Sequence, residues 1–292
     1  MRDSPRLVVV SPVRNEGKNL SRTIKSVTEQ RLKPQRWIIV DDGSSDETAR
    51  IAQEAADAFD WIELLRRPDR GARKSGAGVM EAFYDGYRQV KDLDWEILAK
   101  LDGDLEFTDD FFHLIAEAFG SDPKLGIAGG DIYHYNGSEA VIESRDDPAF
   151  HVRGATKFYR RECWTAMGGL VEATGWDTLD EVKAVMLGWK TYRIPKARVL
   201  HLRPTGGADG GWKNAFKNGR GSYISGYHPL YMLSKCVKRI AHRPVLVQSL
   251  GLCAGFFSSY FTNVQRVADS ELIRYLRKQQ IRRLFGLSSI WR

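Results

Sequence analysis

Residues 97–104 read ILAKLDGD, an apolar run that ends abruptly in two carboxylates. The run Ile97–Leu101 has the length and apolarity of a strand buried on both faces. In an extended segment residues i and i+2 point the same way, so Asp102 and Asp104 can face one ligand. Two hard oxygens suit Mg2+ or Mn2+, which keep other positions for water and phosphate. The triplet alone carries little weight: Asp92-Leu93-Asp94 repeats it in a helix-to-strand connection and reads as solvated. Position at a strand end separates the two.

Outward from this stretch, strand and helix patterns alternate. Leu7–Val10, Trp37–Val40 and Ile62–Leu65 read as strands; Asn19–Gln30, a segment capped by Ser45 or Asp46 and running to Ala58, and Gly78–Val90 read as helices. A helix over Asp109–Phe119 and a strand over Gly126–Gly129 continue the order. Such alternation predicts an α/β fold with a mostly parallel central sheet, whose ligands bind at the carboxyl ends of the strands. Those ends carry Ser11–Glu16, Asp41–Asp46 and Asp102–Asp104. Further on, Ile132–Phe158 is expected to include strands of a smaller sheet, Trp176–Gly188 to be a helix and Arg198–Leu202 a strand. Pro204–Gly211 has the composition of a lid loop. No internal repeat occurs. The 292 residues allow one large domain, expected over 1–211, and a helical extension over 212–292.

Charge supports that division. Fourteen Lys and Arg stand against Asp269 and Glu271 from Trp212 onward, whereas 30 basic and 35 acidic residues precede it. A basic tail suits nucleic acid, anionic lipid or a polyphosphate, but no nucleic-acid module is recognisable and none is expected to bind. Three widely spaced cysteines without a CxxC pair argue against structural zinc and for a reducing compartment. The opening MRDSPRLVVVSPVRNE passes from a short charged lead into a strand pattern, so no secretory signal is expected.

Two loops invite polar ligands. Carboxylates in Asp41-Asp42-Gly43-Ser44-Ser45-Asp46 can accept hydrogen bonds from a base or ribose, while Gly43 permits a sharp turn. Residues 70–78, RGARKSGAG, are glycine-rich and basic and open a helix, which suits phosphate and makes Lys74 a phosphate-binding candidate. The spacing is not that of a Walker A loop.

VVSPVRNEGKNLSRTIKSV (9–27), WIIVDDGSSDET (37–48) and KLDGDLEF (100–107), in this order and spacing, resemble the nucleotide-sugar domain of family 2 glycosyltransferases. The resemblance covers roughly residues 5–205 and implies the GT-A fold, a Rossmann-like sheet. By the family's pattern Pro12, Arg14 and Glu16 would line the nucleotide, with Asp42 near the base. Asp102 and Asp104 would hold the ribose and a Mg2+ or Mn2+ ion on the diphosphate. The general base would be an Asp eleven residues before a helix-ending Gly. Gly188 in LGWK serves as that landmark and gives Asp177. Trp176 stands where the family has a Glu, so Asp180 or Glu181, one turn on, remains open as the base. Cys163–Leu170 resembles the acceptor-side segment. His201 would be a third metal ligand, and Lys213, Lys217 and Arg220 would neutralise the leaving diphosphate. The implied reaction is inverting, metal-dependent sugar transfer to an acceptor hydroxyl, in polysaccharide or glycolipid synthesis.

A nucleotidyltransferase would need a GxGxRx-like loop after the first strand, which Ser11–Gly17 lacks. A degenerate nucleotide-sugar-binding protein stays open through the missing Glu. The expected partners are a nucleotide-diphosphate sugar, a carbohydrate or lipid-linked acceptor and, for a homo-oligomer, a second copy of the chain. Val245–Phe261 spans 17 residues, marginal for crossing a bilayer and weakened by Gln248, Ser249, Ser258 and Ser259. With the basic helix Ser270–Phe285, it leads us to expect a cytoplasmic protein peripheral to the inner face of the cell membrane, or a tail packed on the protein.

Overall fold

The computed structural model describes residues 4–69, 71, 77–143, 147–203, 210–240 and 246–291. The first half is the expected alternation: β1 (Leu7–Val13), α1 (Leu20–Thr28), β2 (Arg36–Asp41), α2 (Thr48–Ala58), β3 (Ile62–Arg66), α3 (Ala77–Val90) and β4 (Ile97–Leu101). β1 runs parallel to both β2 and β4, and β3 lies parallel outside β2. Because side chains alternate across a strand, Leu7 and Val9 meet α1 and α2 on one face. Val8 and Val10 meet Met80 and Phe83 of α3 on the other. Both faces are covered, which is why these strands are continuous apolar runs rather than alternating ones. Gly86 lets α3 lie close: a Cβ there would come within 2.6 Å of Val10 and Val40.

The second half departs from the expected smaller sheet. β5 (Leu105–Phe107), α4 (Phe111–Ser121), β6 (Leu125–Asn136), β7 (Glu139–Ile142), β8 (Thr156–Arg160), α5 (Arg161–Met167), α6 (Trp176–Met186) and β9 (Lys190–His201) follow in order. All the strands join one sheet in the order β3-β2-β1-β4-β8-β6-β9-β5, with β7 on β6. β8 is antiparallel to β4 and β6, and β6 is parallel to β9. The sheet therefore continues past β4, and β8 enters its centre with both faces buried. A register shift between Gly130 and Asp131 bends the β6–β9 pair, and β9 delivers His201 opposite Leu105, beside the β4–β5 turn.

The remaining helices are α7 (Gly211–Ile224), α8 (Pro229–Lys238), α9 (Val247–Ser258) and α10 (Ser270–Leu284). α7 and α9 cross at small residues. A Cβ on Gly219 would stand 2.1 Å from the Leu252 carbonyl oxygen, and one on Gly255 would stand 2.0 Å from that of Phe216. α10 docks on α6, burying Leu272 and Leu276 against Leu179 and Val182, with Lys183 and Asp269 paired at 3.1 Å. Each such leucine contributes about 1.5–3 kcal/mol, so the α10 face that meets α6 is a packed one. Among the described residues no helix is long and apolar enough to cross a membrane.

Candidate active site

The loops after β1 and β2 are laced together. Asn15, in the left-handed region at φ 54°, accepts from the Ser45 amide at 2.9 Å and donates its own amide to the Ser44 hydroxyl at 2.9 Å. The Glu16 amide donates to Thr48 at 2.8 Å and the Gly17 amide to Asp46 at 3.0 Å. Arg14 donates to the Asp42 carbonyl at 2.6 Å and pairs with Asp69 at 2.8 Å. Gly43, at φ +71°, brings this turn against Asp69, whose Cα would lie 2.5 Å from an added Cβ. The Asp42 carboxylate pairs with Arg67, which also holds Asp85 at 2.5 Å. Pro12 lies in register with Val40. Pro12, Arg14, Glu16 and Asp42 thus share one rim. Lys74 and most of the expected lid, 204–209, lie outside the described residues.

Asp102 and Asp104 flank a glycine whose Cβ would meet Val13 at 2.6 Å, so this turn is pressed onto β1. The two carboxylates have different partners. Asp102, with its side chain 35% exposed, pairs with Lys100, which also donates to the Gly154 carbonyl at 2.7 Å. Burial and the neighbouring Asp104 push its carboxyl up, against the pull of Lys100. Asp104 is buried and faces His201 Nε2 at 3.5 Å and Arg203 at 3.1 Å. Burial alone would raise it, but the hydrogen bond with His201 and the charges of His201 and Arg203 hold it below the usual range. His201 Nδ1 lies 3.2 Å from Glu143. Burial disfavours its charge, yet Asp104 and Glu143 outweigh that and push the imidazole up to about 10. Arg203 also pairs with Glu16, whose carboxyl is raised by burial and by Asp104. Among the described residues no group of three or more His, Cys, Asp or Glu is gathered to hold a metal.

Behind this turn lies a buried ionic network. Lys157 pairs with Asp180 at 2.7 Å and Glu181 at 2.9 Å, all three buried. Asp180 also accepts from the Tyr159 hydroxyl and the Glu181 amide, each at 2.7 Å. Burial pushes Asp180 up to about 6 although Lys157 opposes it; Lys157 itself is raised, its carboxylate neighbours overcoming burial. Asp180 is therefore enclosed and fully engaged. Asp177 is different: it stands in the first turn of α6, where a Cβ on Gly154 would come within 3.2 Å of its own. Gly154 is the residue whose carbonyl receives Lys100, so Asp177 borders the Asp102–Lys100 pair.

Residues 8–171 match the family model "Glycosyl transferase family 2". The chain belongs to glycosyl transferase family 2. A curated relative is the glycosyltransferase AglE of Haloferax volcanii, 33% identical over 92 residues, which is 28% of this chain and 30% of that protein. The match thus spans under a third of the relative's length. Among solved structures, the mannosyltransferase PcManGT from Pyrobaculum calidifontis, in complex with GDP-Man and Mn2+, superposes with a TM-score of 0.56 at 16% identity, covering 98% of this chain and 89% of that one. GalNAc-T7 with UDP, GalNAc and Mn2+ gives 0.63 at 15% identity, covering 99% and 56%. At such identities the likeness shows the fold, which is GT-A, and the family assigns the chain to the glycosyltransferases.

In this family 2 member Asp177 lines a cavity of about 350 Å³ between α6 and the C-terminal helices, together with Thr174, Trp176, Asn218, Ser222 and Tyr227. Lys213 and Arg220 lie exposed on α7, and Lys217 is half-buried there. Sequence reasoning missed Lys100, Glu143, Lys157 and Arg203. Lys100 had a signal, a lone charge inside an apolar strand, and so did Arg203, two residues beyond His201 where an extended chain repeats its direction. Glu143 and Lys157 had none, since their partners are remote in sequence.

Proposed function

We propose that the chain moves a sugar from a nucleoside diphosphate sugar to an acceptor hydroxyl, by metal-dependent single displacement with inversion. The observation that carries this is Asp104 facing His201, beside the interlaced loops of β1 and β2. The Asp104 carboxylate is a donor that Mn2+ and Mg2+ favour; His201 would join it by exchanging its Nε2 proton for the ion, with Glu143 on Nδ1 as the partner that orients a ligating histidine. Asp104 and His201 would hold the ion, which would leave it free to take diphosphate oxygens and water as such ions prefer, and Asp102 would hold the ribose. When bound, the ion stabilises the departing diphosphate as a Lewis acid. Arg203 supplies positive charge beside Asp104, and Lys213, Lys217 and Arg220 are assigned to the leaving diphosphate. Pro12, Arg14, Glu16 and Asp42 line the nucleotide, and Lys74 adds a phosphate contact. Asp177 takes the proton from the acceptor hydroxyl, while Asp180 holds α6 in place through Lys157.

The acceptor is a carbohydrate or a lipid-linked glycan met at the cytoplasmic face of a membrane. Leu230, Leu233 and Val237 support this: they share the outer face of α8 at helical spacing and are exposed, with Lys238 beside them.

Calorimetric titration of UDP and GDP with and without Mn2+ tests the donor site. Wild type binds one of them in a Mn2+-dependent manner and Asp104→Ala loses that dependence. Unchanged, metal-dependent affinity in Asp104→Ala overturns the reading.

A further inference from the structure

The cavity beside Asp177 has a second wall, made by α7 and α8 and the turn after α8. Two cations line it, Lys235 and Arg239. Neither has a carboxylate partner among the described residues. Lys235 lies over the Tyr227 ring at 5.3 Å, and burial and the neighbouring Arg239 disfavour its charge. Asp177 lines the same cavity, but no ion pair joins it to either. Elsewhere this fold neutralises its enclosed cations: Lys100 with Asp102, Lys157 with Asp180 and Glu181. Lys235 and Arg239 are half-buried rather than buried, and two adjacent cations on one cavity wall without a carboxylate partner among the described residues make it attractive to an anion.

We infer that this cavity binds the acceptor, and that the acceptor carries an anionic group, a phosphate or a carboxylate, close to the hydroxyl that receives the sugar. The inference rests on the proposed role of Asp177. A cavity of about 350 Å³ accommodates a sugar-sized group with its charge. The hydroxyl faces Asp177 at one wall and the anion faces Lys235 and Arg239 at the other. Arg239 offers a planar fork for two oxygens and Lys235 a point charge, with the Asn218 and Ser222 side chains at the same wall. Burial and Arg239 push Lys235 down to about 8, which a bound anion reverses.

The full chain is titrated calorimetrically with methyl phosphate, glucuronate and neutral methyl glucoside, as wild type, Lys235→Gln/Arg239→Gln, Lys235→Arg and Asp104→Ala. Wild type binds at least one of the two anions, more weakly as salt rises, and the double variant loses at least tenfold in affinity. Lys235→Arg and Asp104→Ala retain it. Methyl phosphate alone identifies a phosphate-bearing acceptor, and glucuronate alone an acidic sugar. The inference is overturned if wild type binds neither anion, if the double variant retains binding with an unchanged thermal melt, or if methyl glucoside binds as tightly. It is also overturned if Asp104→Ala alone abolishes binding, which places the anion in the donor site. Parallel titration with UDP and GDP keeps the donor reading separate: its failure in wild type leaves the anion result standing.

Discussion

Lys100 and Lys157 stand directly opposite each other across the antiparallel β4–β8 ladder, both buried, each ammonium over the Trp176 ring at 5.4 and 5.6 Å. Like charges facing across a ladder are destabilising, so this pair persists only through its surroundings. The aromatic face attracts both, Asp102 answers one and the Asp180–Glu181 pair the other. Trp176, where the family has a glutamate, thus ties the Asp102 turn to the first turn of α6.

Removing Lys157 should be far worse than removing Lys100. Lys157→Met leaves Asp180 buried without its cation and Glu181 with His151 as its remaining one, and should cost about 3–5 kcal/mol. Lys100→Met leaves Asp102, which water reaches, and should cost less. Urea unfolding of both variants checks the ranking, and equal losses would contradict it.

Asp177→Asn and Asp180→Asn should separate chemistry from structure. The first should lower transfer by about 10²–10⁴-fold while stability stays within about 0.5 kcal/mol. The second should destabilise by about 1–3 kcal/mol, with nucleotide binding retained. Transfer assays beside thermal melts decide it; the reverse pattern would move the base to Asp180.

His151 gives the fold a pH dependence. Its Nδ1 lies 2.9 Å from Glu181, and although burial disfavours the charged ring, that carboxylate raises it above the ordinary value of 6.5. The native state therefore holds the proton more tightly than the unfolded chain. The contribution is full below the unfolded pKa and is lost as pH rises through the higher folded one. Urea unfolding of wild type and His151→Gln should differ most near pH 6 and converge above that folded value. A gap widening with pH would contradict it.

The outer face of α8 should bind lipid. Liposome sedimentation of the full chain should rise with anionic lipid and fall with salt, and Leu233→Glu/Val237→Glu should leave the protein in the supernatant. Equal sedimentation of this variant would remove the face from consideration.

The strands β1 to β4 were legible to within a few residues because their signals are local: an apolar run, then turn chemistry such as Asp41-Asp42-Gly43 or Asp102-Gly103-Asp104. β8 was not. Its entry beside β4 depends on pairing Ile97–Leu101 with Thr156–Arg160, a long-range choice that no window of sequence contains. α7 fell within the expected helical extension but without bounds of its own, for another reason. It packs through Ala215 and Gly219 against Gly251 and Gly255, a contact made by the lack of side chains, so an apolar stripe does not announce it. At the site, Asp104 and His201 could each be named from their strand ends, whereas Glu143, which meets His201 from 58 residues away, could not. Asp180 could be separated from Asp177 only by burial.

The cavity beside Asp177 takes its two walls from stretches of chain that do not overlap: α6 and the segment before it on one side, helices beyond residue 210 on the other. The loops that meet at Asp104 are complete by Arg203. The loops at Asp104 thus lie wholly in the first stretch, whereas the cavity needs both. A chimaera that keeps residues up to 203 and exchanges the helices after them would keep the loops at Asp104 and the Asp177 wall of the cavity, and draw only the opposite wall from its new parent.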